Sequence, residues 1–216
     1  MALSIESRFS EVSGGSLHVA DFGGTDNGEV VCVHGLGGSH ANWMSVADGF
    51  GEFGRVTAPD LPGFGLTPPE GRSCTVTANR KVLDTYLRTL ETPVILVGNS
   101  MGGTIALLQT ALAPETVRGL VLLAPALPAG ETVGALRWLG EALDIVRRRP
   151  RLGDDPLIIS RWTWELCTTR PDLVSKEVME AHLEVAEARI DDPDFESAIR
   201  RAAVSLVALL SNRRLL

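Results

Sequence analysis

Short stretches with almost no polar residue recur along the chain: Val30-Val31-Cys32-Val33, Val94-Ile95-Leu96-Val97 and Gly119-Leu120-Val121-Leu122-Leu123. A strand with one wet face alternates apolar and polar residues, so a run without alternation suits a strand covered on both faces, as in a parallel sheet. Residues 55–58 repeat the signal more weakly. Helical patterns lie between the runs. Segment 75–90 places Val76, Val82, Leu83, Tyr86, Leu87 and Leu90 near a 3.6-residue period, and 101–113 forms a second, more apolar helix. Such alternation predicts an α/β fold: three layers, α/β/α, around a mostly parallel sheet. Segments 7–12 and 16–22, the second closed by Gly23-Gly24, predict an opening hairpin.

After Pro125-Ala126-Leu127-Pro128 the character changes. Segments 132–149, 157–168, 175–190 and 195–210 all read as helices with no strand between them. The expected organisation is the first part of a core in residues 1–127 and a helical cap in 128–213. A length of 216 residues allows one core with a small subdomain, and 44% hydrophobic with 22% charged residues is a globular composition. A net charge of -7 argues against nucleic acid or an anionic membrane as partner. The basic run Arg147-Arg148-Arg149-Pro150-Arg151 reads as a solvated face. Cys32, Cys74 and Cys167 are far apart and form no CxxC pair, which points to reduced thiols and a cytoplasmic location. The opening MALSIESRFSEV lacks a signal-peptide core, and no segment approaches the ~18 apolar residues of a membrane span. No metal or cofactor is expected.

The chemistry centres on Gly98-Asn99-Ser100-Met101-Gly102, a G-x-S-x-G pattern. A chain with 22 glycines meets that pattern by chance often enough that context must decide. Here the context is favourable, because a strand ends one residue before the motif and a helix begins inside it. A serine on so sharp a turn tolerates only very small residues two positions away on either side. Its place at a helix N-terminus aims free N–H groups at any oxyanion formed beside it, with Met101 N–H as one donor.

His34-Gly35-Leu36-Gly37-Gly38 follows the first buried strand, and Asp60-Leu61-Pro62-Gly63-Phe64-Gly65 follows the next one. In this order the three motifs resemble the α/β-hydrolase family. The resemblance covers residues 7–127 by motif and the rest by position, since members often carry a helical cap there. It implies Ser100 as nucleophile, the backbone N–H of Leu36 as second oxyanion donor, and a supporting loop of His34, Gly35, Gly98 and Gly102. The family order is serine, acid, histidine. The only later histidine, His182, stands among Glu180, Glu184 and Glu187 and reads as a solvated helix residue. His18 and His40 precede the nucleophile and match no catalytic position, although His40 is close to the oxyanion loop.

Family members continue past the cap with strands that carry the acid and the histidine. The expectation is therefore a C-terminally truncated chain, inactive alone, whose strand at 119–123 is an unpaired apolar edge prone to self-association. The alternative is a short relative that binds a ligand without turnover. For the complete protein the resemblance implies hydrolysis of a small-molecule carboxylic ester or related carbonyl compound with an apolar acyl or aryl group. Trp138, Trp162, Trp164, Leu166 and Phe195 are either pocket or core. A rival activity is carbon-carbon bond hydrolysis of ring-cleavage diketones, because Gly98-Asn99-Ser100-Met101-Gly102-Gly103 is similar to that subgroup. Serine in place of aspartate disfavours dehalogenases and epoxide hydrolases of this fold.

Overall fold

The computed structural model describes residues 5–127, 168 and 170–211, and the statements below concern these residues. Six strands form one sheet: β1 (Glu6–Glu11), β2 (Ser16–Gly24), β3 (Glu29–Val33), β4 (Arg55–Pro59), β5 (Val94–Asn99) and β6 (Val117–Leu123). Their order is β1-β2-β4-β3-β5-β6. The opening hairpin β1/β2 is antiparallel and β2 joins β4 antiparallel, while β4, β3, β5 and β6 run parallel. The helices are α1 (Ala47–Phe50), α2 (Val76–Leu87), α3 (Met101–Leu112), α4 (Lys176–Glu187) and α5 (Pro193–Ser211).

Side chains alternate across a strand, so neighbours in one apolar run fill opposite faces. Val31 and Val33 join Leu96 in a cluster with Leu83 and Tyr86 of α2 and Ile105 of α3. Val30 and Cys32 face the other way, with Val97, Phe22, Val56 and Trp43. This division explains why these strands carry no polar alternation: both faces are dry. Cys32 and Cys74 are free thiols, and burial pushes the Cys32 thiol up to about 12.

Capping sets the helix starts. The Thr75 hydroxyl accepts from Ala78 N–H at the head of α2, and Ser175 accepts from Val178 N–H at the head of α4. A further orphan donor of α2, Val76 N–H, is met from another helix by Ser205 Oγ of α5 at 2.9 Å. Phe195, Ala198, Ala202 and Leu206 recur along one face of α5 and are buried, and the last two belong to the same cluster as the sheet. The last of the helices expected in the cap thus packs into the core.

Several boundaries move. β5 runs to Asn99, so the strand reaches the residue before Ser100. The turns His40–Trp43 and Gly51–Phe53 and the one-turn helix α1 were not foreseen, being too short to show a period. Segment 132–149 and all of 157–168 but Thr168 lie outside the described residues, as do Trp138, Trp162, Trp164, Leu166 and Cys167. Among the described residues β6 is the edge of the sheet, with Val121 and Leu123 38% and 39% exposed. No described helix is long and apolar enough to cross a membrane.

Candidate active site

At the end of β5 the chain reverses through Ser100, whose φ of 51° and ψ of -117° lie where only glycine is at ease. Such a conformation costs about 1–3 kcal/mol and persists only when its surroundings enforce it. Hydrogen bonds on both sides do so. Ser100 N–H donates to Leu123 O (3.0 Å), and Ser100 O accepts from Ala126 N–H (3.0 Å) and Thr104 N–H (3.2 Å). Asn99 Nδ2 donates to Leu123 O (3.1 Å). A Cβ on Gly98 would run into the backbone of Gly102 and Gly103, and one on Gly102 into the carbonyl oxygens of Val33 and His34. The start of α3 therefore rests directly on the end of β3.

Ser100 is the N-cap of α3, yet its hydroxyl makes no capping bond. Met101 opens the helix, so its N–H has no carbonyl four residues back to meet. The Met101 side chain is fully buried in the core.

The loop after β3 passes against the serine. A Cβ built on Gly35 would lie 3.2 Å from Ser100 Cβ and 3.1 Å from Asn99 Oδ1. The Gly35 carbonyl accepts from His34 Nδ1 (2.8 Å) and from Gly38 N–H (3.1 Å). In a planar trans peptide the next N–H points opposite the carbonyl, so pinning Gly35 O also fixes the direction of Leu36 N–H. The other ring nitrogen of His34 accepts from Leu61 N–H at 3.1 Å. Nε2 is thereby bare and Nδ1 carries the proton, which makes His34 a neutral imidazole. Burial pushes its pKa down, the Asp60 charge opposing and those of Arg189 and His40 assisting. A free N–H at a helix N-terminus and a fixed loop N–H, set beside a hydroxyl, can hold an oxyanion that develops there.

Asp60 ties this loop to the rest of the sheet. Its Oδ1 accepts from His40 N–H (2.6 Å), and its Oδ2 accepts from His40 Nδ1 (2.9 Å), His18 Nδ1 (2.9 Å) and Leu66 N–H (2.8 Å). Ser7 Oγ meets the far nitrogen of His18 at 2.7 Å. Burial opposes ionisation of Asp60, but the hydrogen bonds from His18 and His40 hold its carboxyl below the usual range. Gly65, at φ 54°, lets the chain close over the carboxylate, where a Cβ would overlap it. One ligand atom from each of His18, His40 and Asp60 could gather around a cation within 4.8 Å. Both Nδ1 atoms point their protons at Asp60, however, which makes them donors rather than metal ligands.

His182 is not on a solvated face. Glu180, Glu184 and Glu187 share one side of α4 and are exposed, while His182 lies half-buried on the other. Helix α4 packs against the His40–Trp43 turn. Burial, with the charges of His40 and Arg189, brings the His182 pKa down to about 4. No described histidine hydrogen-bonds to Ser100. His18 and His40 turn to Asp60, and His34 turns to Gly35 and Leu61. The Asp60 network was illegible in sequence, because its members come from separate elements.

A profile described as the alpha/beta hydrolase family matches residues 30–213. This chain belongs to the alpha/beta hydrolase family. Among its relatives, Lipase LipV of Mycobacterium tuberculosis is 35% identical over 111 residues, 51% of this chain and 42% of that protein. The 2-hydroxy-6-oxo-2,4-heptadienoate hydrolase of Pseudomonas putida is 38% identical over 122 residues, 54% of this chain and 42% of the relative. Both aligned stretches are thus under half of the relative's length. The thioesterase domain from the curacin biosynthetic pathway superposes with a TM-score of 0.63 at 26% identity, covering 86% of this family member and 67% of that chain.

Proposed function

We propose that the complete protein is a serine hydrolase that cleaves a carboxylic ester bearing an apolar acyl or aryl group. Ser100 Oγ attacks the carbonyl carbon while a base takes the hydroxyl proton. The carbonyl electrons move onto oxygen, which Leu36 and Met101 N–H groups hold. Collapse expels the alcohol, which receives the proton, and water then releases the acid from the acyl-enzyme by the same route. The base and its orienting acid would come from sequence outside this chain. The observation that carries the reading is Ser100 itself: a strained elbow, a hydroxyl not spent on the helix, and the Gly35 loop lying against it.

A second reading is carbon-carbon bond hydrolysis. It is favoured by Gly98-Asn99-Ser100-Met101-Gly102-Gly103 and by the heptadienoate hydrolase relative. It keeps the same nucleophile and predicts turnover of a vinylogous diketone in preference to an aryl ester.

The test is a fluorophosphonate probe applied to the natural full-length protein and read by intact mass. One adduct is expected, mapped to Ser100 and absent from Ser100→Ala. An unlabelled, folded protein would overturn the proposal. The 216-residue chain alone should hydrolyse an aryl ester no faster than its own Ser100→Ala variant, because loss of the base can cost about 10⁶ in rate.

A further inference from the structure

Arg189, two residues past the end of α4, carries its guanidinium inward with one nitrogen unmet. Nε donates to Val185 O at 3.0 Å, and the guanidinium carbon lies 5.8 Å from the centre of the Phe195 ring. Nη1 is out of contact with solvent and meets no acceptor among the described residues. A buried guanidinium with no acid against it is costly, so a site that retains one calls for an anion.

Among the described residues no acid makes a hydrogen bond or ion pair with this guanidinium. The groups coupled electrostatically to Arg189 are Asp60, His34 and His182. Asp60 is the one acid of the three, and both of its oxygens already accept hydrogen bonds from His18, His40 and Leu66. His34 is neutral by its hydrogen bonds, and nothing in its neighbourhood offers His182 a negative partner among the described residues. The location is also suggestive of a ligand. Helix α4 seats against the His40–Trp43 turn, which continues from the Gly35–Gly38 turn lying on Ser100.

We propose that Arg189 anchors an anion subsite beneath α4 and that the anion is a carboxylate carried by the substrate. The planar fork of a guanidinium accepts a carboxylate through two parallel hydrogen bonds, which suits recognition of an acid group on an otherwise apolar ligand. Calling the anion part of a substrate rests on the reading of Ser100 above. Binding itself does not, since it is measured without turnover.

The experiment uses the 216-residue chain with benzoate as probe and benzamide, its neutral counterpart, as control at matched ionic strength. Saturating benzoate should raise the unfolding midpoint by about 3 °C or more, and benzamide should not. Arg189→Gln should abolish the benzoate shift. If that variant does not fold, Arg189→Lys, which keeps the charge and loses the fork, should weaken benzoate binding at least about tenfold. Equal responses to benzoate and benzamide, or an undiminished benzoate response in the folded Gln or Lys variant, would overturn the subsite. Ser100→Ala should bind benzoate as the unaltered chain does. A failure of fluorophosphonate labelling is therefore distinguishable from a failure of the anion subsite.

Discussion

Residues 5–127 bury the carboxylate of Asp60 inside a ring of N–H donors, whereas residues 170–211 bury the guanidinium of Arg189 with one nitrogen unmet. Both groups carry a full charge into the interior, and they differ in what surrounds it. Around Asp60 every donor comes from the chain itself, and the product is a fixed loop beside Ser100. Around Arg189, among the described residues, the one coupled acid is Asp60, whose oxygens are already taken by His18, His40 and Leu66, and no acid bonds to the guanidinium. The first region meets its buried charge with its own hydrogen bonds, and the second leaves part of its own unmet among the described residues.

The largest effect that would break this contrast lies at Asp60. Asp60→Ala strips the acceptor from two ring nitrogens and two backbone amides and should cost about 3–5 kcal/mol in equilibrium urea unfolding. A cost below 1 kcal/mol would show that the network holds nothing together.

A smaller effect should appear on acidification. The folded His182 titrates near 4 and a free histidine near 6.5. Between these values the unfolded chain takes up a proton that the folded one refuses, so stability falls as pH drops from 6.5 toward 4 and then levels off for this group. His34 pulls in the same direction. The His182 share is on the order of 1–2 kcal/mol once partial exposure is allowed for. Urea midpoints measured from pH 7 to pH 4 should drop more steeply for the unaltered chain than for His182→Gln.

The smallest effect tests the join between the two regions. Ser205→Ala removes the acceptor that α5 offers to Val76 N–H and should cost about 1 kcal/mol, measured by the same unfolding curves. A loss as large as that at Asp60 would mean that α5 is as integral to the fold as the polar network.

What could be read from the residues divides along the same line. The strands around Ser100 and their parallel order were legible because a run such as Val94 to Val97 announces burial on both faces locally. The elbow was legible because Gly98 and Gly102 are demanded by contacts within a few residues of Ser100 or at the adjoining strand end. Asp60 was visible as part of a turn motif but not as the hub of His18 and His40, since partners drawn from β2 and from the turn after β3 leave no spacing signature. His182 was misread because neighbouring glutamates were counted along the chain rather than around the helix. The packing of α5 against α2 was hidden for a different reason: an amphipathic face shows that something is covered and not what covers it.

The backbone at Ser100 also bears on how the position could drift. Glycine would occupy φ 51° without strain, so a population of chains screened only for folding would trade the serine away. Every copy that keeps the hydroxyl forgoes that stability, a sacrifice that the proposed role of Ser100 as nucleophile would account for.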